Sequence, residues 1–231
     1  MDNKDKNIIE ITQKSSDYEL IDSGNGEKLE RFGEKLLRRP DPQAIWNINL
    51  NLDTWKKADA YFERTEAQAE WKYKSSKLEK WPIDFFGLKF FIKPTAFKHT
   101  GLFPEQSTNW SWIEKKLKDK KGLKILNLFG YTGGATLVVL RSGSGVVHVD
   151  SSKSAITWAK ENLDVSGLGD KPVRFILEDV RVFVEREIKR GNKYDAIIMD
   201  PPAFGHGVND EIWKIEEHLI PLIENCFRLL S

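Results

Sequence analysis

The chain is poor in cysteine, with Cys226 alone among 231 residues. A single thiol excludes an intramolecular disulfide framework and a cysteine-rich zinc site, and it suits a reducing compartment. Long apolar runs are lacking as well, and none approaches the roughly 20 residues that span a bilayer. The opening Met1-Asp2-Asn3-Lys4-Asp5-Lys6 lacks the apolar core of a secretory signal, so no membrane partner and a cytoplasmic location are expected. An excess of charge of either sign is also missing, because 36 basic residues face 35 acidic ones. The resulting net charge of +1 gives no global field for a polyanion, so any nucleic-acid contact must come from a local patch. His99 and His206 have no carboxylate or second histidine at ligand spacing, and no metal site is expected. His206 is a candidate base, whereas His148 in an apolar strand reads as core and His218 as a surface residue.

What is present suffices for a sizeable core: 40% of the residues are hydrophobic, in a length that allows one large domain or a domain with an appendage. The pattern divides the chain into a small β-rich or mixed module, 1–96, and a larger domain, 97–231. In the first part, Tyr18–Asp22 reads as a strand stopped by Ser23-Gly24-Asn25-Gly26, and one further strand near Lys28–Arg39 pairs back across that turn. Residues up to about 20 read as a frayed terminus. Trp46, Trp55, Trp71 and Trp81 suit either a stacking platform for bases or, more simply, a core. A hairpin is expected around Gly87, and a helix over Asn109–Lys121 with Trp110, Ile113 and Leu117 on one face and lysines around the rest. Such lysines usually form no more than a solvated helix face.

Beyond Gly122 the pattern alternates. Strands are expected at Ile125–Phe129, Val146–Asp150, Val173–Leu177 and Ala196–Met199, and helices at Gly134–Ser142, Lys153–Ser166 and Val180–Lys189. A last helix is expected near Asp210–Leu230, bent at Pro221. Apolar strands alternating with amphipathic helices imply an α/β fold, a parallel sheet with helices on both faces, in which ligands sit at the carboxyl ends of the strands.

Those ends carry the chemistry. The first strand runs into Gly130-Tyr131-Thr132-Gly133-Gly134, and Asp150 closes the second strand 20 residues after Gly130. At that spacing a carboxylate accepts from a ribose diol. The glycines do not form the G-x-G-x-x-G of dinucleotide enzymes, which favours a nucleoside ligand without phosphates. Asp150 is also a candidate cap for the helix after it. Glu178-Asp179 ends the third strand, where a carboxylate can accept from a purine amine. The fourth ends in Asp200-Pro201-Pro202-Ala203-Phe204, a turn whose fixed φ angles hold carbonyl groups and Asp200 toward a substrate, with Phe204 available for stacking.

Together, Asn127–Gly134, Val149-Asp150-Ser151-Ser152, Glu178-Asp179 and Asp200–Phe204 resemble the Rossmann-like class I S-adenosylmethionine-dependent methyltransferases. Within them the branch containing bacterial 23S rRNA cytosine-5 methyltransferases is most similar, and His99–Gln106 resembles the segment that precedes its catalytic core. The resemblance implies S-adenosylmethionine as cofactor. Asn127, Phe129, Gly130, Tyr131, Thr132 and Gly133 would surround its methionine part, Asp150 and Ser151 its ribose, and Asp179 its adenine amine. Phe103 and Gln106 would close the pocket, while Asp200, Pro201, Pro202 and Phe204 would line the methyl-transfer site. An RNA base, of rRNA in particular, is the implied acceptor. Two departures stand out: the turn holds Ala203 and no thiol, and Cys226 sits at helical spacing among apolar residues. The three further strands usual in such folds have no counterpart before Ser231, which leaves the fourth strand as an edge that either a second copy or a partner chain covers or that marks a truncated product. Other readings of the same residues are methyl transfer to a protein or small molecule, an NAD-dependent oxidoreductase, and a non-catalytic RNA-binding or assembly protein.

Overall fold

A computed structural model of the chain describes residues 9–12, 15–64, 69–96 and 98–231. The opening hexapeptide and Phe97, at the expected module boundary, lie outside them. Two compact units emerge, Met1–Gly87 with Ile92–Trp112, and Leu88–Phe91 with Ile113–Ser231.

In the first unit, β1 (Tyr18–Gly24), β2 (Glu27–Phe32), β3 (Lys35–Pro40), β4 (Ala60–Arg64) and β5 (Ala69–Tyr73) form one sheet in chain order, with a short helix α1 (Leu52–Trp55) between β3 and β4. The β3/β4 pair is parallel and the others are antiparallel. The single strand expected over Lys28–Arg39 is two strands, because Gly33, at φ 62°, turns the chain while the residues on both sides keep β-type alternation. Leu29, Phe32 and Leu37 face inward, and Arg39 and Glu30 form a buried pair to which the Tyr18 hydroxyl donates at 3.0 Å. Trp55 and Trp71 are core residues, as the simpler reading expects; only Trp46 of the four is mostly exposed, and its indole N–H is held by the Ser23 carbonyl.

β6 (Trp81–Phe85) and β7 (Leu88–Ile92) flank Phe86 and Gly87, both with positive φ, in the expected hairpin, through which the division between the units runs. Helix α2 (Ser107–Leu117) starts two residues earlier than expected and stops four earlier; Trp110, Ile113 and Leu117 are its buried stripe.

The second unit holds β8 (Lys124–Leu128), α3 (Gly134–Arg141), β9 (Gly145–Asp150), α4 (Lys153–Val165), β10 (Val173–Leu177), α5 (Val180–Lys189) and β11 (Ala196–Met199). All ladders are parallel, in the order β10-β9-β8-β11. The chain steps outward from β8 to β10 and returns on the far side of β8, so the order reverses between β8 and β11, where α/β sheets open a ligand crevice. Side chains alternate across the sheet. Leu126, Leu128, Val147 and Val149 enter a core with Phe183, Val184, Leu222 and Leu229, while the intervening Asn127 and His148 point to the opposite face.

The expected last helix is in fact a hairpin followed by a helix: β12 (Phe204–His206) pairs with β13 (Ile212–Lys214), and α6 runs from Ile215 to Phe227 with Pro221 inside it. A three-residue strand is too short for its period to be told from a first helical turn, and Asp210, at φ 62°, belongs to the hairpin loop. No helix among the described residues is long and apolar enough to cross a membrane.

Candidate active site

The loop after β8 owes its shape to three left-handed residues, Phe129 (φ 55°), Tyr131 (φ 49°) and Gly133 (φ 93°). Two are aromatic, a backbone state that bulky residues rarely hold and that concentrates at functional sites. Gly130 serves a different need. A Cβ there would lie 2.6 Å from Nδ1 of His148, so only glycine lets the loop settle over that ring. Its N–H donates to the Val149 carbonyl at 3.0 Å, and Gly133 caps α3.

Beneath the loop, Asn127 Nδ2 donates to Thr136 Oγ1, which is 2.9 Å from His148 Nδ1. All three residues are buried, and burial lowers the imidazole pKa to about 4, so His148 is neutral at pH 7. The expectation of a core histidine holds. Asn127 is 3% exposed and turned toward Thr136, where it joins α3 to the sheet. Thr132 is buried too, and its carbonyl accepts from Asn162 Nδ2 at 2.9 Å.

Asp150 stands half-buried at the end of β9, on the same face as His148. One carboxylate oxygen accepts the Tyr131 N–H and the other the Ser152 N–H, each at 2.8 Å. Burial pushes its carboxyl pKa up, against the pull of these two N–H groups. It therefore tethers the glycine loop; the cap of α4 is Ser152, whose hydroxyl accepts from the Ala155 N–H. Ser151 Oγ donates to the His206 carbonyl at 2.9 Å.

Asp179 caps α5 through the Arg181 and Val182 N–H groups and pairs with the Arg181 guanidinium at 2.9 Å. Burial opposes its charge, yet these donors hold the carboxyl below the usual aspartate range. Glu178 pairs with Arg186 instead, and its N–H donates to the Asp150 carbonyl. At the end of β11, Asp200 keeps one side toward solvent, while the protein behind it raises its pKa by desolvation.

Residues that the sequence reading missed hold the turn after β11. Trp213 is 3% exposed, packs tilted against Phe129 with ring centroids 4.8 Å apart and donates its indole N–H to the Pro202 carbonyl at 2.7 Å, while the Ile215 N–H donates to the Ala203 carbonyl. Phe204 is 55% exposed and meets His206 edge-on. The hairpin thus clips together the turn after β11, the loop after β8 and Ser151 after β9. His218, expected at the surface, is half-buried against Trp213. In the first unit, Phe103 packs against His99 and Gln106 accepts from Asn109. Cys226 lies in the second unit's core, where burial pushes its thiol up to about 11. No group of three metal-ligating side chains occurs among the described residues.

A family model for S-adenosylmethionine-dependent methyltransferases matches residues 38–218. The crystal structure of the SAM-dependent methyltransferase from Agrobacterium tumefaciens is similar at a TM-score of 0.90 and 43% identity, over 94% of this chain and 70% of that one. The ribosomal RNA large subunit methyltransferase K/L of Pseudoalteromonas atlantica is 30% identical over 171 residues, 72% of this chain and 23% of the relative. Ribosomal RNA large subunit methyltransferase I of an Enterobacter species is 35% identical over 124 residues, 53% of this chain and 31% of the relative. The chain spans about a quarter to a third of the length of these curated relatives. With most of its length matched by that model, and with carboxylates and a glycine loop gathered at one sheet edge, this chain belongs to the S-adenosylmethionine-dependent methyltransferase family.

Proposed function

We propose that the chain transfers a methyl group from S-adenosylmethionine to a nitrogen of an RNA base, with ribosomal RNA the favoured source because that is the substrate named for the relatives. The observation that carries this reading is the junction of the first two strand ends, where Asp150 holds the Tyr131 N–H of the loop beyond β8. Each Asp150 oxygen accepts one backbone N–H and keeps a lone pair, which fits the two hydroxyl donors of a ribose. Ser151 stands beside it. Phe129, Gly130, Tyr131, Thr132 and Gly133 would bound the methionine part, Asn127 would act through Thr136 beneath them, and Asp179 would accept from the adenine amine with the lone pair left on Oδ2. The cofactor-binding part of the chain would lie within 97–231.

The bound cofactor supplies an activated methyl group on a sulfonium. The protein then has to orient the acceptor in line and exclude water. The turn after β11 offers chiefly acceptors, the Asp200 carboxylate and the Pro201 carbonyl, because its two prolines lack an N–H and the Pro202 carbonyl is held by Trp213. Such groups suit an N–H-bearing nucleophile, which they orient while Asp200 draws off positive charge, and Phe204 can stack on the base. Methylation at cytosine C5 needs a thiolate, and Cys226 is buried in the core. Within this chain the nitrogen reading therefore rests on the acceptor groups of the turn after β11. An RNA substrate and a reduced thiol together favour a cytoplasmic site of action. The test is radiolabelled methyl transfer to total RNA, total protein and a small-molecule extract, followed by nucleoside analysis. Label on a base nitrogen supports the reading; label only in protein or small molecules, or on cytosine C5, overturns it.

A further inference from the structure

Lysines in the last turn of α2 and just beyond it gather in one place. Lys115, Lys118, Lys120 and Lys121 line, with Glu114, Asp119 and Ser142, a hollow of about 350 Å³. Two of the eight lining residues, which include Leu117, are acidic, and one of these, Glu114, is already paired with Arg141 at 2.6 Å. Complementing the partial negative charge at the end of a helix accounts for Lys115, in the last turn, but not for Lys118, Lys120 and Lys121, which lie beyond Leu117. The backbone fixes the rim. Gly122 N–H donates to the Gly143 carbonyl and Gly145 N–H to the Leu123 carbonyl, and the stem of Lys121 lies beside Gly143.

The hollow adjoins the starts of β8 and β9, so it sits at the amino-terminal edge of the sheet. Five residues of β8 at about 3.3 Å each place it roughly 15–20 Å from the edge that carries Asp150 and Asp200. A substrate that reached both would have to be long and regularly anionic. We infer that this lysine hollow is a docking surface for the phosphate backbone of RNA, engaged away from the methylated base; the inference rests on the RNA reading above.

The test compares the full chain with a variant carrying Lys115→Gln, Lys118→Gln, Lys120→Gln and Lys121→Gln, and with the matching set of Lys→Arg changes. Binding of labelled poly(U) is measured across a salt series, and S-adenosylhomocysteine binding by calorimetry monitors the fold and the other edge. The Gln variant is expected to bind poly(U) at least about tenfold more weakly, with a salt slope lower by about 3, as about 0.7 per lost phosphate contact on a single strand implies, while the Arg set retains both. S-adenosylhomocysteine binding stays unchanged in all three. Unaltered poly(U) affinity and slope in the Gln variant would overturn the docking surface alone. A Gln variant that loses binding to polyglutamate but keeps it for poly(U) would also overturn it, in favour of an acidic protein partner. A wild-type chain that binds S-adenosylhomocysteine but no RNA would overturn both this surface and the RNA reading.

Discussion

Gly130 and His148 are 18 positions apart in sequence yet fit one space, and each makes the other's identity necessary. A methyl group at 130 meets a fully buried ring that is held by Thr136. Gly130→Ala is expected to destabilise the chain by about 1–3 kcal/mol, the usual penalty for overpacking. Urea unfolding checks it, and the double variant with His148→Ala should lose less than the sum of the two single changes. Asp150 gives a pH prediction. Folding raises its pKa above the ordinary 3.8, so it contributes stability that is fully present below 3.8 and is lost as pH rises from there through the raised value. Ribose hydroxyls donate to the ionised form, so S-adenosylhomocysteine affinity should move the other way. It should fall as pH drops through a range above 3.8, a dependence that Asp150→Asn removes. Cys226 is predicted to be inert: with a thiol pKa of about 11, on the order of one molecule in ten thousand is thiolate at neutral pH. Cys226→Ala should leave methyl transfer unchanged, and thiol reagents should label the chain only on unfolding.

At the scale of elements, reading the sequence found neither α1, β4 and β5 in the first unit nor the hairpin β12/β13 in the second, and that hairpin is what clips the strand ends together. Trp213→Ala removes a buried ring from Phe129 and leaves the Pro202 carbonyl without its donor, for an expected loss of about 3–5 kcal/mol. Trp213→Phe keeps the ring and should lose only about 1–2 kcal/mol of that, while loosening the turn that carries Asp200. Denaturant midpoints separate the two variants. The four parallel strands and α3, α4 and α5 were legible to within about a residue, because each runs through several periods of its pattern and ends on a turn or capping residue. The hairpin was not legible, since its strands hold three residues each and its anchor, Trp213, works through Phe129, far away in sequence. The Lys28–Arg39 stretch failed for the opposite reason: its alternation continues on both sides of Gly33 and hides the turn.

At the scale of the whole molecule, the carboxylates at the strand ends were legible as residue types, but the work each does within the protein was not. Asp150 tethers the glycine loop and Asn127 points at Thr136, partners from elements that only the fold brings near, while Asp179 holds Arg181 and caps α5, local bonds that its residue type alone does not distinguish from a ligand role. The central claim is that these residues, while serving the fold, leave enough acceptor capacity at one sheet edge to hold an adenosine-bearing cofactor. It is tested most directly by calorimetric titration of S-adenosylhomocysteine into the wild-type chain and into Asp150→Ala, with thermal unfolding as a control. One-site binding by the wild type, weakened by about 1–3 kcal/mol in a variant that still unfolds cooperatively, is the expected result. Equal affinity in the two proteins, or no binding by a folded wild-type chain, would contradict it.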